Sequence, residues 1–307
     1  MSNAPKLSAP AAIGIGAALA TVFLYSANFV ITRAGVIQNL TAYDLVALRY
    51  GTAGLLLLPF FGRAVFQSKG GIGWLRSTLL TLLAGAPYML VFNAGLTLAP
   101  ASHGAILNPG FSPVVVALGS VLFLGMNWST RRFAFLALIV IGLALLTSAS
   151  FAVSRTIVMG DLMLLLTGLS WGIFTLLVRH WQLDPLKVTT AVSVISLLYL
   201  PLYLSLQYKG FPAVSTLELA FQAVFHGVVI SIGTLFLVAL AIRNIGPSYS
   251  SLFNPLVPIV TAIIAFIFLN ERLGVAQWIG AALVVLGMLA AAHTLTNNAA
   301  AVDRAPK

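Results

Sequence analysis

A single arginine lies inside an otherwise apolar run of the sequence. Arg49 stands about eight residues into the run over 41–61, or roughly 12 Å along a helix. An arginine at the bilayer centre costs about 2.5–3.5 kcal/mol on insertion scales, so we treat Arg49 as a candidate functional residue. Its guanidinium either extends towards the membrane surface, binds carbonyls of another helix, or meets an anionic substrate group. Asp44, earlier in the same run, is a poor partner because it lies on a different helix face.

Aromatic and amide side chains occur at related places in other apolar runs. Such side chains offer flat apolar faces and a few hydrogen-bond donors, which suit a small amphipathic solute. Core packing or a position at the membrane interface explains any single one of them equally well. Together with Arg49, the candidate substrate-binding residues are Tyr25, Asn28, Tyr88, Asn93, His103, Asn108, Trp171, Tyr249 and Asn254.

Two Asn-Pro pairs lie at corresponding positions of two apolar runs. Proline lacks an amide hydrogen and leaves the carbonyl four residues earlier without its helical partner, so we expect helix breaks there. Irregular backbone at membrane depth persists only where it is buried in protein or lines a cavity. Simple kinks are the alternative, but interruption of matching helices favours a central cavity. The helix-breaking candidates are Pro109, Pro113, Pro255 and Pro258, and the asparagines are Asn108 and Asn254.

Few ionisable groups lie where they could relay protons across the membrane. The carboxylates fall near the ends of the apolar runs or in loops, and none is central. His103 and His226 are the two groups within apolar runs that titrate near neutral pH. A membrane histidine is more often a packed hydrogen-bonding side chain. We therefore favour movement down a gradient and keep proton exchange through His103 or His226 as the alternative.

Composition disfavours most enzymatic chemistry. The 307 residues include no cysteine, which excludes thiolate metal sites, disulfides and thiol nucleophiles. The six carboxylates are scattered, whereas a magnesium-dependent transferase clusters them. A P-loop is absent from the sequence, and Ser170 lacks the second glycine of a serine-protease nucleophile turn. We expect no catalytic residue, no metal and no cofactor.

The elements that position these residues follow from hydropathy. Hydrophobic residues make up 60% of the chain and charged residues 7%, with a mean hydropathy of +1.04. A soluble domain carries about a quarter charged residues, so the outer surface here must face lipid. About 20 apolar residues cross the hydrocarbon core as a helix, which predicts an all-α fold with ten transmembrane helices. The predicted spans cover 11–33, 41–61, 75–98, 101–125, 131–149, 158–180, 187–206, 219–243, 247–270 and 274–294.

Basic residues are distributed unequally between the two sides of the membrane. Sixteen Lys and Arg against six Asp and Glu give a net charge of +10, but their scattered positions argue against a nucleic-acid partner. With ten spans, eleven basic residues fall on the side of both termini and four on the other side. The positive-inside rule then predicts a bacterial-type inner membrane protein with both termini in the cytoplasm. The first apolar run is too long for a cleaved signal peptide.

The two halves of the chain match at nearly one offset. Tyr25 corresponds to Trp171, 146 residues later, and Asn108 corresponds to Asn254 in the same way. An odd number of helices per repeat makes the second copy enter from the opposite face, which defines an inverted repeat. Duplication kept for packing alone is the alternative. We expect tails over 1–10 and 295–307, repeats over 11–149 and 158–294, and a linker over 150–157.

Several motifs of the chain form a recognisable set. They are the Tyr-Ser-x-Asn-Phe-Val run that starts at Tyr25, the Trp171-Gly172 pair, Arg49, and the stretch over 254–288. This set resembles the EamA family of the drug/metabolite transporter superfamily over residues 11–292. The first repeat departs from the pattern, because Met126 stands where Glu271 stands in the second. The resemblance implies ten helices, cytoplasmic termini, a cavity between the halves and movement of small metabolites.

An inverted repeat without a nucleotide-binding motif indicates a secondary transporter that works by alternating access. Aromatic faces, amides and one nearby cation fit an amino acid or related amphipathic solute better than a polyanion, and we expect export. A channel would show rings of charge, normally through oligomeric symmetry, and it ranks lower, as does an intramembrane enzyme. Gly280 and Gly287 permit close helix packing or a dimer seam, so we expect a monomer or homodimer in the lipid bilayer.

Overall fold

A computed structural model describes residues 9–38, 40–67, 70–124, 130–151, 153–206 and 214–303. The predicted tail residues 1–8 and 304–307, and Met126, lie outside these ranges. Regular structure within them is helical throughout, without strands. In the described part of the chain, nine helices are long and apolar enough to cross a membrane, and Val275–Ala291 is a shorter apolar helix. The predicted class, an all-α membrane protein of ten helices, is confirmed.

Ten spans are numbered here in chain order. Spans 1 to 5 are Ala9–Gln38; Ala42–Leu57 continued by Leu58–Phe60 and Phe61–Phe66; Trp74–Ala84 with Ala86–Leu98; Ala101–Leu124; and Thr130–Phe151. Spans 6 to 10 are Arg155–His180; Pro185–Ile195 continued to Leu206; Thr216–Ala223 continued by Val224–Gly233 and Thr234–Ser251; Leu256–Leu269; and Val275–Asp303. The last helix therefore includes most of the predicted tail over 295–307.

Large apolar side chains cover the outside of the bundle. Leu75, Phe123, Leu217 and Val275 are each almost fully exposed. A soluble protein rarely exposes such a surface, whereas lipid tails solvate it. The core lies between the spans, and the largest of its four clusters of buried residues is drawn from both repeats.

The two repeats interlock instead of lying side by side. Span 4 packs on span 6, and its repeat counterpart, span 9, packs on span 1. Span 3 packs on span 6 just as span 8 packs on span 1. Spans 5 and 10, which correspond to each other, form the most extensive pair of all. Contacts that occur in matched pairs are what an inverted repeat with a pseudo-twofold axis requires.

Glycines set the close approach of spans 5 and 10. A Cβ at Gly142 would lie 2.6 Å from the carbonyl oxygen of Gly280, and a Cβ at Gly280 would lie 2.7 Å from that of Gly142. A Cβ at Gly287 would meet the side chain of Ile139 at 2.5 Å. These small residues pack the bundle internally, as small residues do in other membrane helix pairs.

The helix breaks differ from those predicted at the Asn-Pro pairs. Span 4 runs as one helix through Pro109 and Pro113, so the break expected there is wrong. Neighbouring helices let a membrane helix continue past proline, and span 6 packs closely along this part of span 4. In the second repeat, residues 252–255 form a turn that includes Pro255, while Pro258 occupies the first turn of span 9 and breaks nothing. The matching helices are thus interrupted in one repeat only.

Candidate functional site

The guanidinium of Arg49 lies among side chains from spans 1, 2, 3 and 8. It acts electrostatically on Tyr25, Tyr88 and His226. It also lies beside the hydroxyl of Tyr50, with Cζ 6.0 Å from the centre of that ring. We call these five residues the Arg49 cluster. They come from both repeats, so the cluster lies where the halves meet.

The Arg49 cluster is only partly closed to solvent. Tyr50, Tyr88 and His226 are buried, whereas Arg49 and Tyr25 keep part of their surface accessible. Tyr25 nevertheless packs against the main core. Besides Tyr50 of its own span, side chains of spans 1, 3 and 8 interact with the guanidinium, so the partly accessible charge lies among groups of both repeats. Aromatic rings with a few polar groups among them are the usual composition of a small-molecule site.

A stretch of wide helix brings span 8 against Arg49. Residues 224–233 form a π-helical segment, a feature frequent at functional sites. Gly227 in this segment faces span 2, where a Cβ would lie 2.5 Å from Cβ of Thr52 and 3.1 Å from the carbonyl oxygen of Arg49. Only glycine permits this approach, which carries His226 to the cluster.

Span 3 is broken at Gly85, where no helix break was predicted, because the predicted breaks were placed at the two Asn-Pro pairs. Pro87 lacks an amide hydrogen and leaves the carbonyl of Leu83 without a helical partner. The hydroxyl of Ser170 on span 6 donates to that carbonyl oxygen at 2.7 Å. A side chain of the second repeat thus replaces the lost helical bond of the first.

Two further side chains complete the break at Gly85. The hydroxyl of Tyr50 donates to the carbonyl oxygen of Ala84 at 3.0 Å, and the amide of Ala86 donates to Oγ of Ser196 at 3.0 Å. The position that corresponds to Gly85 in the second repeat, 146 residues later, lies inside the π-helical segment of span 8. Both copies of the third helix are therefore irregular at the same depth.

Asn108 joins span 4 to the cluster. Its amide nitrogen donates to the hydroxyl of Tyr88 at 3.1 Å and to that of Thr167 at 2.8 Å. Trp171 on span 6 is 39% exposed, and its ring lies 5.8 Å from the Tyr88 ring between centroids. Gly168 allows span 6 this close, because a Cβ there would lie 2.8 Å from the carbonyl oxygen of Asn108. Three predicted site residues, Tyr88, Asn108 and Trp171, thus form one connected group.

The repeat is visible within the site itself. Tyr25 of span 1 lies near Thr234 of span 8, whose hydroxyl donates to the carbonyl oxygen of Ile230. Their counterparts, each 146 residues away in the numbering, are Trp171 of span 6 and Tyr88 of span 3, which are also in contact. Equivalent helix pairs therefore meet at equivalent positions, with Tyr25 and Thr234 at one contact and Trp171 and Tyr88 at the other.

The structure places the remaining predicted residues at different distances from this region. Asn28 joins it, since its Oδ1 lies 3.3 Å from Nδ1 of His226. Asn93 instead donates to the carbonyl oxygen of Ala42 at 3.2 Å, at the start of span 2. Tyr249 is 63% exposed and Asn254 is also exposed, so neither belongs to the buried part of the cluster.

An ion pair ties the halves together on the side opposite the termini. Nε of Arg33 lies 3.5 Å from Oε1 of Glu271, and Nη1 of Arg33 donates to the carbonyl oxygen of Leu96. Glu271 also accepts from the amides of Ala101 and Ser102 at 3.1 and 3.4 Å, which places a negative charge at the N-terminus of span 4. Span 9 ends with a left-handed residue at position 270, and this turn directs Glu271 back towards span 4.

His103 lies in a second polar network on the same side. Nδ1 of His103 is 2.8 Å from Oδ1 of Asp161, and Nε2 is 3.0 Å from the side-chain nitrogen of Gln277. Oε1 of Gln277 accepts from the amide of Gly274, so its nitrogen must donate to His103 and Nδ1 must carry the ring proton. Asp161 also accepts from Ser150 at 2.6 Å. His103 and Asp161 are 1% and 0% exposed.

We call the residues of these two networks the latch. They are Arg33, Ser102, His103, Asp161, Glu271 and Gln277. Hydropathy located their helices but not their pairing, because every partner is more than 50 positions away in the chain. The sequence signal was the placement of each group within about one turn of a predicted span end. In the part of the chain that the structure describes, no group of three His, Cys, Asp or Glu is arranged to hold a metal ion.

A bundle of ten spans in two inverted halves, with a polar cluster between the halves, is the architecture of secondary transporters. The chain belongs to the EamA-like transporter family, whose sequence pattern matches residues 12–148 and 158–292. The predicted membership is therefore confirmed, and the chain is a multi-pass transporter of the membrane.

Two relatives carry the same general description. An uncharacterized transporter of Bacillus subtilis, YyaM, is 28% identical over 265 residues, which is 81% of this chain and 84% of that one. An uncharacterized transporter of Archaeoglobus fulgidus is 24% identical over 275 residues, which is 87% of this chain and 93% of that one. A solved structure described as "Crystal structure of protein" is similar in fold, with a TM-score of 0.59, 16% identity and coverage of 91% of this chain and 96% of that one.

Proposed function

We propose that the protein is a secondary carrier that exports a small metabolite, an amino acid or a related amphipathic solute, without direct use of ATP. The observation that supports this most is the Arg49 cluster, where polar and aromatic side chains of both repeats meet and Arg49 and Tyr25 keep part of their surface accessible. A solute held there contacts both halves. Movement of one half against the other then changes the side of the membrane from which the solute is reached.

The latch supports an alternating-access mechanism. Arg33 and His103 belong to the first repeat, proposed to cover 11–149, and their partners Glu271, Asp161 and Gln277 belong to the second, over 158–294. Opening on this side requires that these bonds separate. We propose that the latch closes the outer side, with both termini in the cytoplasm of a bacterial-type cell. One chain supplies both halves, so it acts as a monomer or as a homodimer of independent carriers.

Counterflow in proteoliposomes tests the proposed carrier. The purified protein is expected to accumulate a labelled solute against its own unlabelled pool, with a saturable rate, because a carrier exchanges solute through one site. Trp171→Ala should slow exchange, since it removes the ring that faces Tyr88. Trp74→Ala is the matched control, because Trp74 is exposed at the start of span 3. Flux that rises linearly with concentration and shows no counterflow would instead indicate a channel.

Proton coupling is a second candidate function, favoured by the buried pair of His103 and Asp161. In the closed latch Gln277 donates to Nε2 of His103, and the ring proton on Nδ1 points to Asp161. Opening separates His103 from both partners. The released groups then meet water and exchange protons, so that opening and proton binding are linked.

An imposed pH gradient separates coupled from passive movement. If the carrier is proton-coupled, a pH gradient across wild-type proteoliposomes drives accumulation of solute. His103→Gln and Asp161→Asn then abolish this gradient-driven accumulation, while counterflow persists. Glu218→Gln serves as control, since Glu218 pairs with Gln222 away from His103. Equal accumulation with and without the gradient would establish the passive carrier.

A further inference from the structure

Among the residues that the structure describes, Arg49 has no counter-ion. In the described residues, ion pairs join Arg33 to Glu271 and His103 to Asp161, and Arg49 takes part in neither. Its Nε is buried and has no hydrogen-bond partner. The repeat offers no matching charge either, since the position 146 residues after Arg49 is Ile195. The positive charge at this depth is therefore a property of one half only.

The carboxylates that could neutralise Arg49 are engaged elsewhere. Of the six in the chain, five have described side chains, and each has another partner. Asp44 accepts from Thr41 and Tyr203, Asp161 from His103, Asp184 from the amide of Lys187, Glu218 from Gln222, and Glu271 pairs with Arg33. Movement of a side chain within the cluster cannot supply the missing negative charge.

An uncompensated cation between membrane helices favours an anionic ligand. A guanidinium presents several N–H donors in one plane, an arrangement that matches the two oxygens of a carboxylate. Coulombic attraction is far stronger in a site shielded from bulk water than at a surface. We propose that the cargo carries a carboxylate which pairs with Arg49; this inference rests on the proposed carrier function.

The neighbours of Arg49 define the rest of the cargo. One uncompensated positive charge matches one carboxylate, whereas a polyanion would bring excess negative charge into the membrane. The rings of Trp171 and Tyr88 offer apolar faces for a compact hydrocarbon body. Nε2 of His226 is buried without a partner, so it is available to an N–H or O–H group of the cargo. The class is a small monocarboxylic acid with an apolar body, with or without an amino group.

Three probes that differ in their charged groups but share a branched hydrocarbon body distinguish the contribution of the carboxylate from that of the ammonium group. Leucine carries a carboxylate and an ammonium, 4-methylpentanoate carries the carboxylate alone, and 3-methylbutylamine carries the ammonium alone. Binding is measured as the rise in Tm of the purified protein with each probe, because a ligand that binds only the folded state stabilises it. Wild type is expected to be stabilised by one or both carboxylate probes and not by the amine. Stabilisation by both acids means that the carboxylate is sufficient for binding. Stabilisation by leucine alone means that the site also binds the amino group.

Variants of two arginines on one span test the role of Arg49. Arg49→Gln should weaken binding of the carboxylate probe at least about tenfold, as expected for loss of a charged hydrogen bond, and Arg49→Lys should restore part of it. Arg63→Gln is the matched control, because Arg63 is exposed at the end of span 2. It should bind as wild type does.

The outcomes distinguish failure of the carboxylate inference from failure of the carrier function. Equal stabilisation by the amine, absence of stabilisation by both acids, or undiminished binding to Arg49→Gln overturns the inference, whether or not other solutes are transported. Carboxylate binding that depends on Arg49, together with no counterflow of the bound probe in proteoliposomes, supports the site and refutes the carrier. Binding and counterflow that are both lost in Arg49→Gln support both proposals.

Discussion

Replacing Glu271 with glutamine is expected to open the latch. The carboxylate lies 3.5 Å from Nε of Arg33, and the two side chains are 13% and 18% exposed. At an effective dielectric constant of about 20, the pair attracts by about 5 kcal/mol, most of which desolvation of the two charges offsets. Glutamine keeps the shape and one acceptor oxygen towards Ala101 but removes the charge. We expect a net change of about 1–3 kcal/mol in favour of opening, or about 5–150-fold in the equilibrium.

The natural absence of cysteine provides the assay. Thr32→Cys introduces one thiol next to Arg33, at a fully buried position whose hydroxyl has no partner. In purified protein a hydrophilic maleimide reaches both faces, so its labelling rate reports opening of the latch independently of membrane orientation. The labelling rate should rise by about 5–150-fold when Glu271→Gln is added to Thr32→Cys.

A charge-matched control separates the latch from general loosening. Glu218→Gln removes a carboxylate on the same side of the membrane but breaks no ion pair, since Glu218 bonds to Gln222. It should leave labelling of Thr32→Cys unchanged. A Glu271→Gln protein with unaltered Tm and a labelling rate within twofold of its parent would show that the ion pair does not hold the halves together.

Two further substitutions test the packing that supports the site. Gly142→Ala should lower Tm in detergent, because its Cβ would lie 2.6 Å from a backbone oxygen, and the expected loss in free energy of unfolding is about 1–3 kcal/mol. Gly16→Ala is the control, because a Cβ there meets open space and should leave Tm unchanged. Tyr50→Phe should cost about 1–3 kcal/mol by leaving the carbonyl of Ala84 unpaired, whereas Tyr43→Phe, on an exposed ring, should be silent in the same melting measurement. Equal Tm values within either pair would contradict the corresponding contact.

Much of the fold followed from local sequence, because a membrane span is defined by length and hydropathy alone. The ten helices were predictable in this way, and the repeat was predictable from residue matches such as Tyr25 with Trp171. Helix breaks were less so: Pro109 lies in a continuous helix, whereas Gly85 ends one. Whether proline interrupts a membrane helix depends on what the neighbouring spans offer the released carbonyls, and Ser170 and Tyr50 show that these partners come from far along the chain.

The candidate site was predictable in kind but not in arrangement. Arg49 was recognisable because a cation within an apolar run is costly. The pairing of His103 with Asp161 was not, because Asp161 lies near the start of span 6 and appeared peripheral. Burial depends on how a span end is covered by other spans, and hydropathy along the chain contains no information about that cover.

The Glu271 carboxylate of the latch ion pair is present at one end of the molecule only, and this asymmetry bears on the turnover cycle. The first repeat has Met126 where the second has Glu271, so the sequence provides no equivalent charge at the opposite end. Under the proposed alternating-access mechanism, we expect the two access states to differ in energy and the empty carrier to rest with the latched end shut. We then expect breaking of the ion pair to be the slow step of each cycle. Solute supplied on the side opposite the latch should bind the resting carrier and accelerate that step, so exchange is expected to run faster than net flux.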